Sequence, residues 1–218
     1  MNQKLYQKWE NVWSKLKEKE TKNGKETLVA KIITKDKIKI LRKILTEINP
    51  KSAIEIGCGL GFTFSVFKEL GIDALCIDVS KTAVKICRQK NLNSVEQKLE
   101  DTTEKYDLVF SDGVLEHFLN FEPYAQKMTE ISRKYIIIIQ NDHCNFLGKT
   151  LTYLTEIFRA SKNVMEYNYT IDDFIDIFKK YDYELVTTKN IFYGTFKLIL
   201  FKKYEPAIEK DLHHKSSG

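Results

Sequence analysis

The chain reads as an α/β protein: a doubly wound, mainly parallel seven-stranded sheet with an antiparallel last strand, an N-terminal helical cap, and an insertion after the fifth strand. Three observations predict this. From Ser52 onward, short apolar runs alternate with amphipathic stretches of helical period. The run "YIIIIQ" is apolar without a break, as a strand covered on both faces must be. The last two strands are separated only by "FYG", too short for a crossover and suited to a hairpin.

Residues 2–18 carry Leu5, Trp9, Val12, Trp13 and Leu16 at helical spacing, which predicts an amphipathic helix with an aromatic stripe. Such a helix must pack on something, either the core or, as a lid, a substrate cleft. A hydrophilic turn around Asn23 and Gly24 follows, and Asp36 is placed to cap a second helix that runs to Ile48 and stops before Pro50. Strands are then expected at 53–57, 73–78, 94–98, 106–111, 134–140, 183–190 and 195–202, with helices at 61–70, 80–90, 123–133 and 170–181. Residues 144–168 break the alternation and read as an inserted helix with flanking loops, before a helix capped near Thr170. The organisation is a helical cap over 1–50, a main domain over 51–204 and a frayed tail over 205–218.

At 218 residues the chain suits one well-cored domain with an appendage. Its longest apolar run falls far short of the roughly 20 residues that span a bilayer, and "MNQKLYQKWENVW" lacks a signal-peptide design, so a cytoplasmic location is expected. The net charge of +5 arises from 35 basic and 30 acidic residues that interleave, which points to a solvated surface and away from a nucleic-acid groove. Cys58, Cys76, Cys87 and Cys144 show neither a C-x-x-C pair nor zinc-type spacing with histidine; they read as reduced, buried small residues.

The stretch "AIEIGCGLGF" places the loop Gly57-Cys58-Gly59-Leu60-Gly61 between the first strand of the sheet and its first helix, at the strand end where open sheets bind ligands. Glycines allow a tight turn and a close ligand approach, and amides at a helix start suit an anionic group. The spacing is G-x-G-x-G, with Phe62 and Phe64 around the place where a dinucleotide loop wants its third glycine, which argues against a nicotinamide cofactor. Asp78 ends the second strand about twenty residues later, where a carboxylate can accept both hydrogen bonds of a ribose diol. Glu55, just ahead of the glycines, would repel a pyrophosphate but help to hold a cationic amino group. The implied ligand carries adenosine, an ammonium and a carboxylate.

"EIGCGLG", then "CIDVS", then "YDLVFSDGVLEHF" together resemble the Rossmann-like (class I) S-adenosylmethionine-dependent methyltransferases, in the branch that acts on small molecules; the resemblance covers about residues 50–202. It implies a seven-stranded sheet with an antiparallel last strand, in agreement with the hairpin, and S-adenosyl-L-methionine as cofactor. It places Glu55, Gly57, Cys58, Gly59 and Gly61 along the methionine part, Asp78 on the ribose and Val79 against adenine. The family's acid after the third strand aligns with Lys98, so Glu100 or Asp101 is the expected substitute near the adenine amino group, with the Leu99 or Glu100 amide touching the ring. Ser111 and Asp112 end the fourth strand beside the expected methyl group.

His117 and His143 are the candidate general bases; the plainer reading of His117 is a place in the structural turn "LEH" that the resembled family shares, and that of His143 a hydrogen-bonded rim histidine. No metal ligand is assigned: "QNDHCN" has the asparagine before the aspartate, the reverse of catechol-type enzymes, and Gly113 stands where ubiquinone-pathway relatives have a glutamate. The N-P-P-Y type motif of amide and base nitrogen methylation is absent, the fourth strand being followed by "SDGV". The expectation is a methyltransferase acting at oxygen on a small-molecule acceptor, with 144–168 and the Trp9 and Trp13 helix building the acceptor pocket. Two competing readings are an RNA- or protein-directed methyltransferase and a catalytically reduced cofactor-binding partner subunit.

Overall fold

The computed structural model describes residues 3–23, 28–142 and 164–205, with side chains for all of these except 16–28. His143, Cys144, most of the expected insertion, the turn at Gly24, the Leu16 side chain and the tail beyond 205 lie outside the described residues. In chain order the elements are α1 (Gln3–Asn23), α2 (Leu28–Ile48), β1 (Ser52–Ile56), α3 (Ser65–Glu69), β2 (Asp73–Asp78), α4 (Lys81–Gln89), β3 (Ser94–Glu96), β4 (Tyr106–Asp112), α5 (Glu122–Ile131), β5 (Ser132–Asn141), α6 (Ile171–Lys179), β6 (Tyr183–Ile191) and β7 (Phe196–Lys203).

The seven strands form one sheet in the order β3-β2-β1-β4-β5-β7-β6. β1 to β5 pair in parallel, and β7 runs antiparallel to both β5 and β6. The expected sheet is therefore present, antiparallel last strand included. In β5 the four isoleucines divide by parity: Ile136 and Ile138 join the apolar layer that α5 and α6 complete through Met128, Phe174 and Phe178. Ile137 and Ile139 join the opposite layer, with Leu41, Ile44 and Leu45 of α2 and Phe67 of α3. A strand with both faces buried has no position for a polar side chain, which is why "YIIIIQ" shows no alternation.

Local signals set several element ends. The Ser80 hydroxyl accepts the Ala83 amide at the start of α4, and Thr170 with Asp173 forms a reciprocal capping box at the start of α6. Asn49, at φ 44°, donates its amide to Leu45 and ends α2 ahead of Pro50. Of the four residues between β6 and β7, Phe192, Tyr193 and Gly194 take positive φ, the conformation that a tight hairpin between right-twisted strands demands.

Two expectations are corrected. The helix expected over 61–70 is confined to Ser65–Glu69, because the preceding residues are held in the glycine turn. Asp36 does not cap α2, which already starts at Leu28, since "LVAKII" carries the apolar pattern upstream with no breaker. The Asp36 carboxylate instead accepts the Phe192 amide at 2.7 Å, closing the β6–β7 turn across 156 residues of sequence. Asp36→Ala leaves that amide without its charged acceptor and is expected to cost about 1–2 kcal/mol in urea unfolding; unchanged stability would mean that the turn holds itself.

Candidate active site

Strand order reverses beside β1: β2 and β3 lie to one side, β4 and β5 to the other. A crevice must open at the carboxyl end of β1, because the connections leave toward opposite sides there. It holds a cavity of about 280 Å³, lined from β1 and its loop, the ends of β2 and β4, the turns Leu99–Asp101 and Leu115–His117, and α1 and α2.

The glycine loop is braced from beneath. The Gly57 and Cys58 amides both donate to the Ile77 carbonyl, at 2.8 and 3.2 Å, and the Gly61 amide donates to Cys58 at 2.7 Å. Gly57, Gly59 and Gly61 all have φ between 50° and 72°. A Cβ at Gly57 would lie 2.5 Å from Val114, and one at Gly59 would lie 2.9 Å from the Trp13 ring. Side chains are thus excluded at the loop first by the protein's own packing.

The two acids differ in how they are satisfied. Asp78 accepts the Gly59 amide on Oδ2 and the Ser80 amide on Oδ1, both at 2.9 Å. Burial pushes its carboxyl up to about 6 against the pull of those two amides. Glu55 accepts the Thr63 hydroxyl at 2.8 Å on Oε1, while Oε2 is buried with no partner among the described residues. Burial, opposed by Thr63 and reinforced by the charges of Asp112, Cys87 and Asp78, lifts Glu55 well above the usual carboxylate range. A buried carboxylate oxygen without a donor is costly, and a cationic group in the cavity would satisfy it. The residues present therefore fit a ligand with an ammonium beside the loop and hydroxyls near Asp78.

A cation also faces the cavity. Lys37 of α2 pairs with Asp112 at 2.6 Å and lies 4.3 Å above the Phe196 ring, with both partners largely buried. α1 roofs the crevice: Trp9 and Trp13 stack at 5.6 Å, and Trp9 meets the His117 ring edge-on at 4.8 Å. The Tyr6 hydroxyl donates to Glu100 at 2.9 Å. Glu10 accepts the Ser80 and Thr82 hydroxyls, each at 2.6 Å, fastening the roof to the start of α4. Burial alone would raise Glu10; the hydrogen bonds from Ser80, Thr82 and Ser14 outweigh it and leave the carboxyl below its ordinary value.

Of the residues singled out from the sequence, Glu55, Gly57, Cys58, Gly59, Asp78, Val79, Leu99, Glu100, Asp112 and His117 all line this one cavity. Gly61 and Ser111 are not among its lining residues. A Cβ at Gly61 would meet Leu92 at 2.5 Å and Cys87 at 3.0 Å, so that glycine serves the packing of loop against α4. The Ser111 hydroxyl is buried with no partner among the described residues. The His117 Nδ1 donates to the Met165 carbonyl at 2.9 Å, which leaves the lone pair of the neutral ring on Nε2. Sequence reasoning missed Tyr6, Glu10, Lys37 and Thr63, which reach the site from helices or turns with no local motif.

Comparison with known proteins agrees with this geometry. Residues 54–135 match the family model described as methyltransferase domain. Pavine N-methyltransferase from Thalictrum flavum subsp. glaucum is 26% identical over an alignment of 106 residues that covers 44% of this chain and 30% of that relative's length. Magnesium protoporphyrin IX methyltransferase from Synechocystis PCC 6803, solved with bound S-adenosylhomocysteine, superposes with a TM-score of 0.68 at 16% identity, covering 93% of this chain and 96% of that one. A methyltransferase from Thermotoga maritima gives 0.68 at 16% identity over 91% and 99% of the two chains.

The buried acids set a pH dependence. Asp78, with an ordinary value of 3.8 and a folded value of about 6, holds more proton in the folded than in the unfolded chain between those limits. The ligand-free protein therefore loses stability as pH rises across that window, and Glu55 acts in the same sense as pH rises through its own raised value. Glu55→Gln is expected to make the decline shallower when urea unfolding is measured across a pH series. An unaltered profile would show that Glu55 carries no buried-charge penalty.

Proposed function

We propose that the chain is a Rossmann-like class I S-adenosylmethionine-dependent methyltransferase that methylates a small-molecule acceptor at an oxygen atom, a reading supported by the methyltransferase-domain match over residues 54–135 and by the shared fold. The observation that supports the cofactor part is the buried Glu55 Oε2, without a partner among the described residues, on a side chain that lines the crevice. When bound, the cofactor supplies a methyl group on a sulfonium, open to in-line displacement.

The chain's own groups do the rest. Glu55 accepts the ammonium, and Lys37 offers a cation for the carboxylate once it exchanges Asp112 for that partner. Asp78 is fixed by the Gly59 and Ser80 amides, and its remaining lone pairs accept ribose hydroxyls. Val79 and Leu99 give adenine an apolar seat, with Glu100 beside it. Trp9 and Trp13 cover the crevice and keep water from the reacting groups. A hydroxyl acceptor must shed its proton as it attacks, and His117, oriented by Met165, is the base on this wall. His143 stays a second candidate for that role.

Calorimetric titration with S-adenosylmethionine, S-adenosylhomocysteine and NADH, run in parallel, tests the cofactor; binding of the first two without the third is expected, and binding of NADH alone would reverse the assignment. Asp78→Ala is expected to weaken S-adenosylhomocysteine by about 1.5–3 kcal/mol, as the loss of a charged hydrogen bond does, and Glu55→Gln to weaken it too while leaving the fold intact. Incubating the protein with radiolabelled cofactor and paired hydroxyl- and amine-bearing acceptors tests the acceptor atom. Transfer confined to amines would move the reading to nitrogen, the atom in the name of the pavine relative.

A further inference from the structure

We propose that Cys58, Cys76 and Cys87 form a buried three-thiolate site for a single soft, thiophilic metal cation beneath the glycine loop. The three come from separate elements: Cys58 from the loop after β1, Cys76 from β2 and Cys87 from α4. All three are free and buried. Their sulfurs lie within 4.8 Å of one another, and those of Cys58 and Cys87 are 3.7 Å apart. Metal–sulfur bonds of about 2.3 Å place sulfurs about 3.8 Å apart around a tetrahedral centre and about 4.0 Å apart around a trigonal one. The cluster is within small side-chain adjustments of either arrangement.

The donor set decides the class of ion. Three sulfurs amid Phe64, Phe67, Leu92 and other apolar side chains suit zinc, cadmium or cuprous copper, and they do not suit magnesium or calcium, which demand oxygen ligands. Each thiol that ligates gives up its proton to solvent, so loading releases acid and involves no change of oxidation state. The spacing along the chain, 18 residues from Cys58 to Cys76 and 11 more to Cys87, matches no short metal motif, because the ligands converge through the sheet and its covering helix. Since Cys58 also lines the cavity between Gly57 and Gly59, a bound cation would tie that loop to β2 and α4. The site stands independently of the proposed reaction.

The test uses the full chain, reduced and stripped with a chelator, then titrated with cadmium while the thiolate-to-metal absorption is followed. A single equivalent per chain, accompanied by proton release and by protection of thiols from alkylation, is expected. X-ray absorption on the loaded protein should report three sulfur neighbours. Cys76→Ala and Cys87→Ala should each abolish stoichiometric loading, while Cys144→Ser should leave it intact. Binding that survives in both alanine variants, or a coordination shell dominated by nitrogen or oxygen, would overturn the proposal, as would the absence of stoichiometric loading in the unaltered chain. Should either alanine variant fail to fold, the absorption measurement on the unaltered protein decides alone.

Discussion

Strand β1 has β2 on one side, β4 on the other and an apolar layer on each face, so its chain can emerge only at the strand end, in the crevice where the sheet order reverses. That single constraint sets the positions of Glu55, the glycine loop and Asp78. Glu55 is the last but one residue of the strand, and the glycine loop is its continuation. The loop amides find their acceptor in the neighbouring strand at Ile77, one residue before Asp78. The carboxylate at the end of β2 then returns the support by accepting the Gly59 amide. Loop and acid hold each other, and neither would keep its geometry without the parallel pairing of β1 with β2.

α1 belongs to the same construction, because Glu10 joins the Ser80 hydroxyl that caps α4, and Ser80 in turn donates its amide to Asp78. A chain of hydrogen bonds therefore runs from the roof to the acid in the crevice. The question of whether the N-terminal helix packs on the core or covers a cleft resolves as both at once: its polar edge is fastened to α4, and its aromatic stripe forms part of the cavity wall.

What the sequence made legible follows from the range of the interactions. Strand positions were readable because burial on both faces writes itself into consecutive residues such as Ile136 to Ile139. The hairpin was readable because a connection as short as "FYG" cannot make a crossover. Ten of the residues singled out for the site meet in one cavity, since they sit at strand ends that topology alone brings together. The failures are long-range. Asp36 has the chemistry of a helix cap, but its acceptor duty lies 156 residues away. Gly61 looks like its two neighbours, yet the space it vacates belongs to Leu92 and Cys87. Lys37 stands among similar lysines, and only the tertiary pairing with Asp112 distinguishes it.

Asp36 and Lys37 are consecutive on α2, set about 100° apart around the helix. The first holds the turn between β6 and β7, and the second reaches Asp112 and the ring of Phe196 at the start of β7. One turn of helix thus fixes the hairpin and the buried ammonium to a common reference. A longer or shorter hairpin turn would shift α2 and carry the ammonium with it, even with every residue of the crevice unchanged. The length of a surface turn is in this way coupled to the charge balance inside the crevice, although no residue of that turn lines it.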